Sequence, residues 1–518
     1  MWVRIESLPN LAAALVAALV FAAPAAGATV HVIVVPPFQP HAYAERGAVG
    51  LFVPGSGDRV SRAGALASLV RGKVEPFVIG GSPRGRPLIS LARRPGDVTI
   101  YVALPPPGEH PNTTRYPIAV VGGGYHGILV SDSTRIRGLV SIADVAHTAV
   151  ALHEGKRPVM RARPDRDAAA DLATLDLRLS QAHDVRLWAT LILVGSVLAG
   201  ALLAVGLRSR YLGRAGLLAA PAVLAVSLVL SAAGAARPPL VAGLLAGLVV
   251  VASLAVGASS RILPWALVGV VAAQLLVFVA WPEVSSFAAV GARPDGGGRF
   301  YGAGNLVETV LLTVSLEAVA LLGRRALLPV LVLALVTIGW SKAGADGGGL
   351  VVFLAAFAVL AARMSGARLS ARRVAVAAVA CVAVVAALVG LDAATGGSSH
   401  VTHALRQGPV SLAGDLAHRI HISAAFVSSG WKEGAVFAVS IAALVVLRSR
   451  RPRFPAGDAL LVGIAVSLLV NDSPGDVASA GALSYAILWA YEQVREPAPA
   501  VVRPGGVALG APGVSSRA

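Results

Sequence analysis

The chain has 518 residues, of which 56% are hydrophobic and only 14% charged, and its mean hydropathy is +0.73. Because soluble globular proteins average about 25% charged residues, this composition excludes an ordinary soluble protein and predicts an integral membrane protein. The formal net charge of +17 does not indicate a nucleic-acid partner, since excess arginine in a membrane protein marks cytoplasmic loops. A single cysteine, Cys381, excludes intrachain disulfides and cysteine metal clusters.

The N-terminal segment, residues 1–28, has the pattern of an export signal. Arg4 precedes an apolar stretch from Leu11 to Phe21, and Ala26-Gly27-Ala28 is a small-residue cleavage site. We therefore expect a signal peptide, with an uncleaved anchor helix as the alternative.

Residues 29–185 have an ordinary soluble composition and predict an α/β domain of single-domain size. Apolar runs separated by Pro and Gly predict strands, and longer stretches between them predict helices. The predicted strands are 29–35, 50–53, 97–103 and 116–121, and the predicted helices are 62–71, 141–153 and 165–181.

Residues 186–494 contain apolar segments of roughly membrane-spanning length. We predict a transmembrane α-helical bundle of about eleven helices, followed by a disordered cytoplasmic tail at 495–518. The segments are 187–207, 215–235, 238–258, 262–281, 305–323, 326–341, 348–364, 374–391, 424–447, 457–470 and 477–491.

The distribution of arginine orients the bundle. With residues 29–185 extracytoplasmic, arginine clusters such as 208–214, 363–373 and 448–453 fall in predicted inner loops, as the positive-inside rule requires. Arginine also far outnumbers lysine, as in GC-rich bacterial genomes. The predicted location is therefore the bacterial plasma membrane, with a cytoplasmic C-terminus and the lipid bilayer as a partner.

Four polar segments, at 299–305, 345–349, 400–421 and 471–476, fall at the outer ends of the predicted helices. They predict an outward-facing polar cavity beneath the α/β domain, since charges and glycine breaks at membrane depth line cavities rather than lipid. Solvated outer turns are the alternative. The candidate cavity residues are Arg299, Tyr301, Asn305, Glu308, Asp346, Asn471, Asp472 and Ser473. Glu308 is a candidate partner of Arg299; for the deeper Glu317, snorkelling, helix pairing and a functional role are equally open.

The histidines of the outer loop before the ninth predicted helix suggest a metal site only weakly. His400 with His403 and His418 with His421 are i,i+3 pairs, which on a helix place two imidazoles on one face. No acidic third ligand has a recognisable spacing, so a solvated loop or surface helix is the favoured interpretation.

Two stretches of the α/β domain resemble the alkaline-phosphatase-like superfamily of phosphatases and phosphotransferases. Residues 131–148, SDSTRIRGLVSIADVAHT, resemble its closing segment, and residues 43–50, YAERGAVG, resemble the segment after its first strand. The membrane motifs RFYGAGN (299–305), GADGG (344–348) and NDS (471–473) are similar to those of actinobacterial multi-pass proteins that carry such a domain outside. The resemblance implies a truncated alkaline-phosphatase-like fold.

Departures from that pattern argue against catalysis. Active members bind two metal ions through Asp and His residues and use a Ser or Thr nucleophile, but residues 34–37, VVPP, occupy the place of the first metal aspartate. Weak candidate remnants are Asp58, Ser61 and His110, together with Glu109 and His126. We expect a degenerate domain with no cofactor, a divalent metal being needed only if the domain is active.

Three functions remain open from the sequence. The favoured one is a non-catalytic or strongly diverged envelope protein whose outer domain binds an envelope component or a protein partner above the cavity. The second is a phosphotransferase acting on an envelope lipid headgroup or a lipid-linked sugar, an analogy at fold level only. The third is a transporter or flippase, which glycine-interrupted short helices fit.

Overall fold

The computed structural model describes residues 29–57, 59–74, 97–235, 237–296, 299–366, 430–471 and 473–495, with isolated positions between 372 and 428. These residues form a small α/β domain followed by a bundle of apolar helices. The predicted signal segment at 1–28, the predicted tail at 495–518 and the predicted span at 374–391 lie wholly or largely outside the described residues.

A mixed seven-stranded sheet organises the α/β domain. Its order is β1-β4-β6-β2-β7-β9, with β8 pairing to β2. The β1–β4, β2–β7 and β2–β8 pairs are parallel, and the β4–β6, β6–β2 and β7–β9 pairs are antiparallel. The strands are β1 (Val30–Val35), β2 (Gly47–Val53), β4 (Val98–Ala103), β6 (Tyr116–Val121), β7 (Gly127–Ser131), β8 (Leu139–Ser141) and β9 (Met160–Arg163).

A separate antiparallel ribbon pairs β3 (Arg59–Ser61) with β5 (Glu109–Pro111). Three helices complete the domain: α1 (His41–Ala44), α2 (Arg62–Arg71) and α3 (Ala143–His153). Helix α2 begins at Ser61, whose hydroxyl accepts a hydrogen bond from the Gly64 amide, and it ends at Gly72 in the left-handed conformation. All four predicted strands and the helix at 62–71 are present; the sequence pattern missed the short strands β3, β5, β7, β8 and β9.

The two faces of the sheet are covered differently. One face packs beneath α2 and α3, with Phe52 and Ile100 among its fully buried side chains. The other face packs against Leu172 and Leu179 of the following long helix and against Phe287 and Phe300 from connectors of the bundle. The core of the domain is therefore completed by residues of the membrane half.

The domain and the bundle share one helix, α4 (Ala168–Gly206), of 39 residues. The sequence pattern predicts two helices here, 165–181 and 187–207, with a domain boundary at residue 185. The structure joins them because no Gly or Pro interrupts the chain between Ala168 and Val194, and charged residues alone do not end a helix.

Bundle helices follow at ten of the eleven predicted positions. After α4 they are α5 (Arg210–Ala232), α6 (Pro238–Gly257), α7 (Leu263–Ala280), α9 (Asn305–Leu322), α10 (Leu327–Gly339), α11 (Gly347–Met364), α12 (Trp431–Ser449), α13 (Pro455–Val470) and α14 (Pro474–Val494). A short helix, α8 (Pro282–Phe287), precedes α9. Within the described residues, six helices are long and apolar enough to cross a membrane: α4, α5, α6, α7, α9 and α11.

Burial in the bundle follows the pattern of a membrane protein. Helix α9 is central, and its residues from Val307 to Val319 are all buried. Large apolar side chains on the perimeter are exposed, including Leu202 at 73% and Trp265 at 65%. Such a surface is costly in water and is what a bilayer covers, so these helices fit a multi-pass integral membrane protein.

Candidate functional site

Four polar residues from separate segments meet at the ends of the bundle helices nearest the α/β domain. They are Arg299, Glu308, Asp346 and Asn471, here called the domain-side cluster. Glu308, Asp346 and Asn471 are only 1%, 4% and 4% exposed. They are therefore buried between helices, unlike the solvated outer turns that the sequence left open as an alternative.

Asn471 ties α13 to α9. It is the residue that ends α13, and its side-chain amide donates to Glu308 Oε2 at 2.9 Å and to Ser467 Oγ at 2.7 Å. Glu308 Oε1 is buried and accepts no hydrogen bond from the described residues. Asp346 Oδ2 is likewise buried without a hydrogen bond from the described residues. Unsatisfied carboxyl oxygens in a buried polar cluster are costly, so these two oxygens, one from each residue, are the chemically available positions of the cluster.

Asp346 begins α11 and faces the same point. Its Oδ1 accepts the Gly349 amide at 3.1 Å, which satisfies one free N–H of the first helical turn. A methyl group placed on Gly349 would lie 3.4 Å from both Asp346 Cγ and Glu308 Cδ. The two carboxyl groups therefore converge on this glycine, where a methyl group would be excluded by Ile338 Cγ2 at 2.4 Å rather than by the carboxyl groups.

Arg299 supplies the positive charge of the cluster. Its Nη2 lies 3.7 Å from Asp346 Oδ2, and its Nη1 donates to the carbonyl oxygens of Ala303 and Gly344. The sequence proposed Glu308 as its partner, but the ion pair of Arg299 is made with Asp346. The guanidinium thus holds the RFYGAGN and GADGG turns together.

A close backbone contact locks these two turns. The Ala303 amide donates to Gly344 O at 3.0 Å. Gly302 has φ +83°, and a Cβ there would lie 2.2 Å from Gly344 O. Only glycine satisfies both the left-handed conformation and this approach.

The α/β domain contacts these turns directly through Arg135. Its guanidinium lies over the Tyr301 ring, and it donates to Ser341 O at 2.8 Å and Lys342 O at 3.0 Å. Asn112 adds a second contact by donating to Gly296 O at 3.0 Å. The domain therefore rests on the connectors that lead into Arg299 and Asp346.

A buried ion pair secures the same interface at α4. Asp295, 3% exposed in its side chain, binds Arg186 Nη1 and lies 2.8 Å from His183 Nδ1. Burial by itself disfavours the charged carboxylate, but Arg186 and His183 outweigh it and hold the pKa of Asp295 below its ordinary value. The sequence pattern does not single out this group; an arginine just before an apolar segment and an aspartate in a Gly-rich connector are its only signals.

The remaining predicted cavity residues have different positions. Tyr301 is half-buried under Arg135, Asn305 is the first residue of α9, and Ser473 precedes α14. Asp472 lies outside the described residues. The cluster thus unites four of the eight predicted residues, with Tyr301 joining it to the domain.

The candidate catalytic residues lie on the β3–β5 ribbon. Ser61 pairs with Glu109, and Val60 pairs with His110, so Ser61 and His110 project from opposite faces. The Ser61 hydroxyl caps α2, and His110 Nε2 lies 3.0 Å from Pro107 O. Glu109 is exposed beside Arg59, His126 is exposed in a separate turn, and Asp58 lies outside the described residues.

A buried carboxylate that the sequence did not single out organises the segment resembling the superfamily. Asp144 Oδ2 accepts hydrogen bonds from Ser131 Oγ at 2.7 Å, Ser133 Oγ at 2.6 Å and Ser141 N at 3.0 Å. Burial raises the pKa of Asp144, and these donors partly offset that effect. The arrangement fixes the loop that carries Arg135.

Metal ligands are sparse in the part of the chain that the structure describes, where no group of three or more His, Cys, Asp or Glu side chains is arranged to hold an ion. Of the candidate histidines, His400, His403 and His418 lie outside the described residues. His421 is described as helical and exposed.

Known proteins supply no assignment for this arrangement. Comparison of the chain with family models, with curated proteins and with solved structures found no match. The function must therefore be argued from the domain-side cluster and its contacts.

Proposed function

We propose that the chain is a multi-pass protein of the bacterial plasma membrane whose extracytoplasmic α/β domain binds an envelope component without catalysis. In this proposal, the effect of ligand binding to the domain is transmitted to the domain-side cluster through the contacts between them. Arg135 carries the argument, because one side chain contacts Tyr301 of the RFYGAGN turn and the carbonyls leading into Asp346.

The proposed domain is a truncated alkaline-phosphatase-like fold that has lost its chemistry. Strand β1 ends at Val35 and is followed by two prolines, where the superfamily has its first metal aspartate. The Ser61 hydroxyl serves as a helix cap, and none of the described residues places a general base within hydrogen-bond reach of it. These features favour binding over turnover.

The proposed ligand is an envelope lipid or a lipid-linked glycan that bears a phosphate. The resemblance is to domains that handle phosphate esters, and a ligand anchored in the outer leaflet would reach the domain at the helix ends. The proposed topology places eleven helices in the membrane, the C-terminus in the cytoplasm, and residues 29–185 outside.

Binding is tested with the full-length protein in nanodiscs, titrated with phospholipids and with a polyprenyl-phosphate-linked sugar. Hydrogen exchange is followed in residues 127–141, 299–305 and 341–349. We expect the ligand to slow exchange in all three segments, and Arg135→Ala to retain protection of 127–141 while losing it at 341–349. Exchange unchanged by every lipid would contradict the proposal.

The same preparation separates binding from catalysis. Phosphomonoester and phosphodiester hydrolysis is measured with added zinc or manganese, in wild type and in Ser61→Ala. Turnover that Ser61→Ala abolishes would replace the binding function with a phosphotransferase.

A second candidate is ion-coupled transport through an outward-facing polar cavity, favoured by the convergence of Glu308 and Asp346 on Gly349. Two buried carboxyls beside one arginine offer a site for a cation or a proton. Proteoliposome uptake of radiolabelled cations is compared for wild type, Glu308→Gln and Asp346→Asn, with the exposed Glu45→Gln as control. Uptake lost in the first two and retained in the control would favour transport.

A further inference from the structure

Glu317 is a buried carboxyl that the proposed function does not use. It lies on α9, nine residues after Glu308 and about half a turn around the helix from it, since each residue rotates about 100°. Its residue is 1% exposed, and neither carboxyl oxygen accepts a hydrogen bond from the described residues. An intramembrane carboxyl with no partner is costly and marks a functional position.

Glu317 borders a small cavity between α4, α5, α7, α9 and α14. Its neighbours there are almost entirely apolar, among them Val197, Pro221 and Leu267. The cavity measures about 20 Å³, and one water needs roughly 10–15 Å³ measured in this way. The space therefore admits a water molecule and excludes a lipid or an organic cation.

The cavity also offers polar partners for such a water. Pro221 lies inside α5 and has no N–H, so it leaves the Leu217 carbonyl without its usual helical donor, and both residues line the cavity. Thr313 lines it one turn before Glu317; its hydroxyl donates to Thr309 O at 2.8 Å and retains lone pairs. With the carboxyl, these residues that line the cavity therefore carry three polar groups, which is within the two to four partners that a buried water requires.

The charged groups around Glu317 do not neutralise it by contact. From α4, α5 and α7 the cavity receives only apolar side chains. From α14, Tyr491, Glu492 and Arg495 are close enough to interact with it electrostatically, but Arg495 Nη1 bonds Glu492 Oε1 at 2.9 Å. No cation among the described residues forms an ion pair with Glu317.

We propose that Glu317 and this cavity form a proton-binding site within the membrane. A carboxylate oxygen forms an O–H bond with a proton of the internal water as that water's own O–H bond breaks, and the water regains a proton from hydrated protons of the bulk solvent. The net change is the uptake of one solvent proton, which gives a neutral carboxylic acid. The site is separate from the domain-side cluster and stands whether or not the α/β domain binds a ligand.

Infrared difference spectroscopy of the full-length protein in lipid tests this site directly. Wild type minus Glu317→Gln is recorded at neutral pH, in H₂O and in D₂O, with the solvent-accessible Glu45→Gln as the matched control. We expect Glu317→Gln to lose one protonated-carboxyl carbonyl band that the control keeps, and we expect D₂O to shift that band.

Two results of this experiment would contradict the proposal. If the difference spectrum contains only ionised-carboxylate bands, or if the carbonyl band never shifts in D₂O, the proposal is wrong. Ala220→Leu fills the cavity and leaves Glu317 in place. This variant should therefore keep the carbonyl band, and the shift of that band in D₂O should be at least tenfold slower. An unchanged rate would contradict proton exchange through the internal water. Because Ala220→Leu is compared only with wild type, this test remains valid even if Glu317→Gln does not fold.

Discussion

The Arg135 guanidinium carbon lies 3.9 Å from the centre of the Tyr301 ring, and the same side chain donates to two carbonyls of the Ser341–Lys342 turn. Arg135 itself has φ +55°, a conformation uncommon for a residue with a side chain. The loop that presents it is fixed by Asp144 and its three hydrogen bonds. One arginine thus joins the α/β domain to both turns that hold Arg299 and Asp346.

Replacing Arg135 with alanine should loosen this junction. The lost stacking and the two hydrogen bonds amount to about 2 kcal/mol, so we expect hydrogen exchange in 299–305 and 341–346 to accelerate by tenfold or more. Arg157→Ala, an exposed arginine of the same domain, is the matched control. Equal exchange in the two variants would show that the junction does not depend on Arg135.

The RFYGAGN turn contains its own matched pair of glycines. Gly302→Ala places a methyl group 2.2 Å from Gly344 O at a left-handed φ, whereas a methyl group on Gly304 meets its nearest atom, Gly291 O, at 4.0 Å. We expect Gly302→Ala to cost about 3 kcal/mol or more and Gly304→Ala to be tolerated. Thermal unfolding in detergent measures both; similar losses would contradict the turn geometry.

Asp295→Asn should destabilise the protein by leaving Arg186 buried without its counter-ion, a loss of about 3 kcal/mol. Because the folded-state pKa of Asp295 is depressed, its contribution is present above the unfolded pKa and is lost as pH falls through the folded value. The melting-temperature gap between wild type and variant should therefore narrow below about pH 4. Asp184→Asn, at an exposed position on the same helix as Arg186, should melt at the same temperature as wild type. A difference in melting temperature for Asp295→Asn that grows as the pH falls would refute a depressed pKa for Asp295.

Asp144 should show the opposite pH dependence. Its folded-state pKa is raised by burial, so the folded protein holds this proton more tightly and stability declines as pH rises from about 4 through the folded value. Asp144→Asn keeps a side-chain acceptor and removes the titration. We therefore expect the stability of the variant relative to wild type, measured by thermal unfolding, to increase as the pH is raised from 4 to 8. Asp167→Asn, an exposed carboxyl, should follow wild type.

Much of the fold is readable from local pattern. Val30–Val35, Val98–Ala103 and Tyr116–Val121 are apolar runs bounded by Pro or Gly, and each forms a strand. Six of the described bundle helices are apolar segments long enough to cross a membrane, and recognising them needs no tertiary information. Glycine-rich turns with charged residues led us to group Arg299, Glu308, Asp346 and Asn471, and the structure brings these four residues together at one end of the bundle.

The local sequence pattern could not predict which residues pair with each other within the cluster. Whether Arg299 pairs with Glu308 or Asp346 depends on how α9 and α11 rotate against each other, which is set by side-chain packing across the bundle. Strands such as β7 and β9 are short and pair over long sequence separations, so their local signal is weak. Arg135 carried no signal of its own, since its role arises only from the position of Tyr301.

The uninterrupted helix α4 couples the orientation of the α/β domain to that of the first bundle helix, because both belong to one continuous helix. About 18 residues of this helix precede Arg186, which is roughly 27 Å at 1.5 Å per residue, and no Gly or Pro within them provides a hinge. A helix changes its tilt when the bilayer becomes thicker or thinner. In the proposed topology the domain would follow such a tilt, which would tie its height and angle above the lipid surface to the thickness of the membrane that holds it.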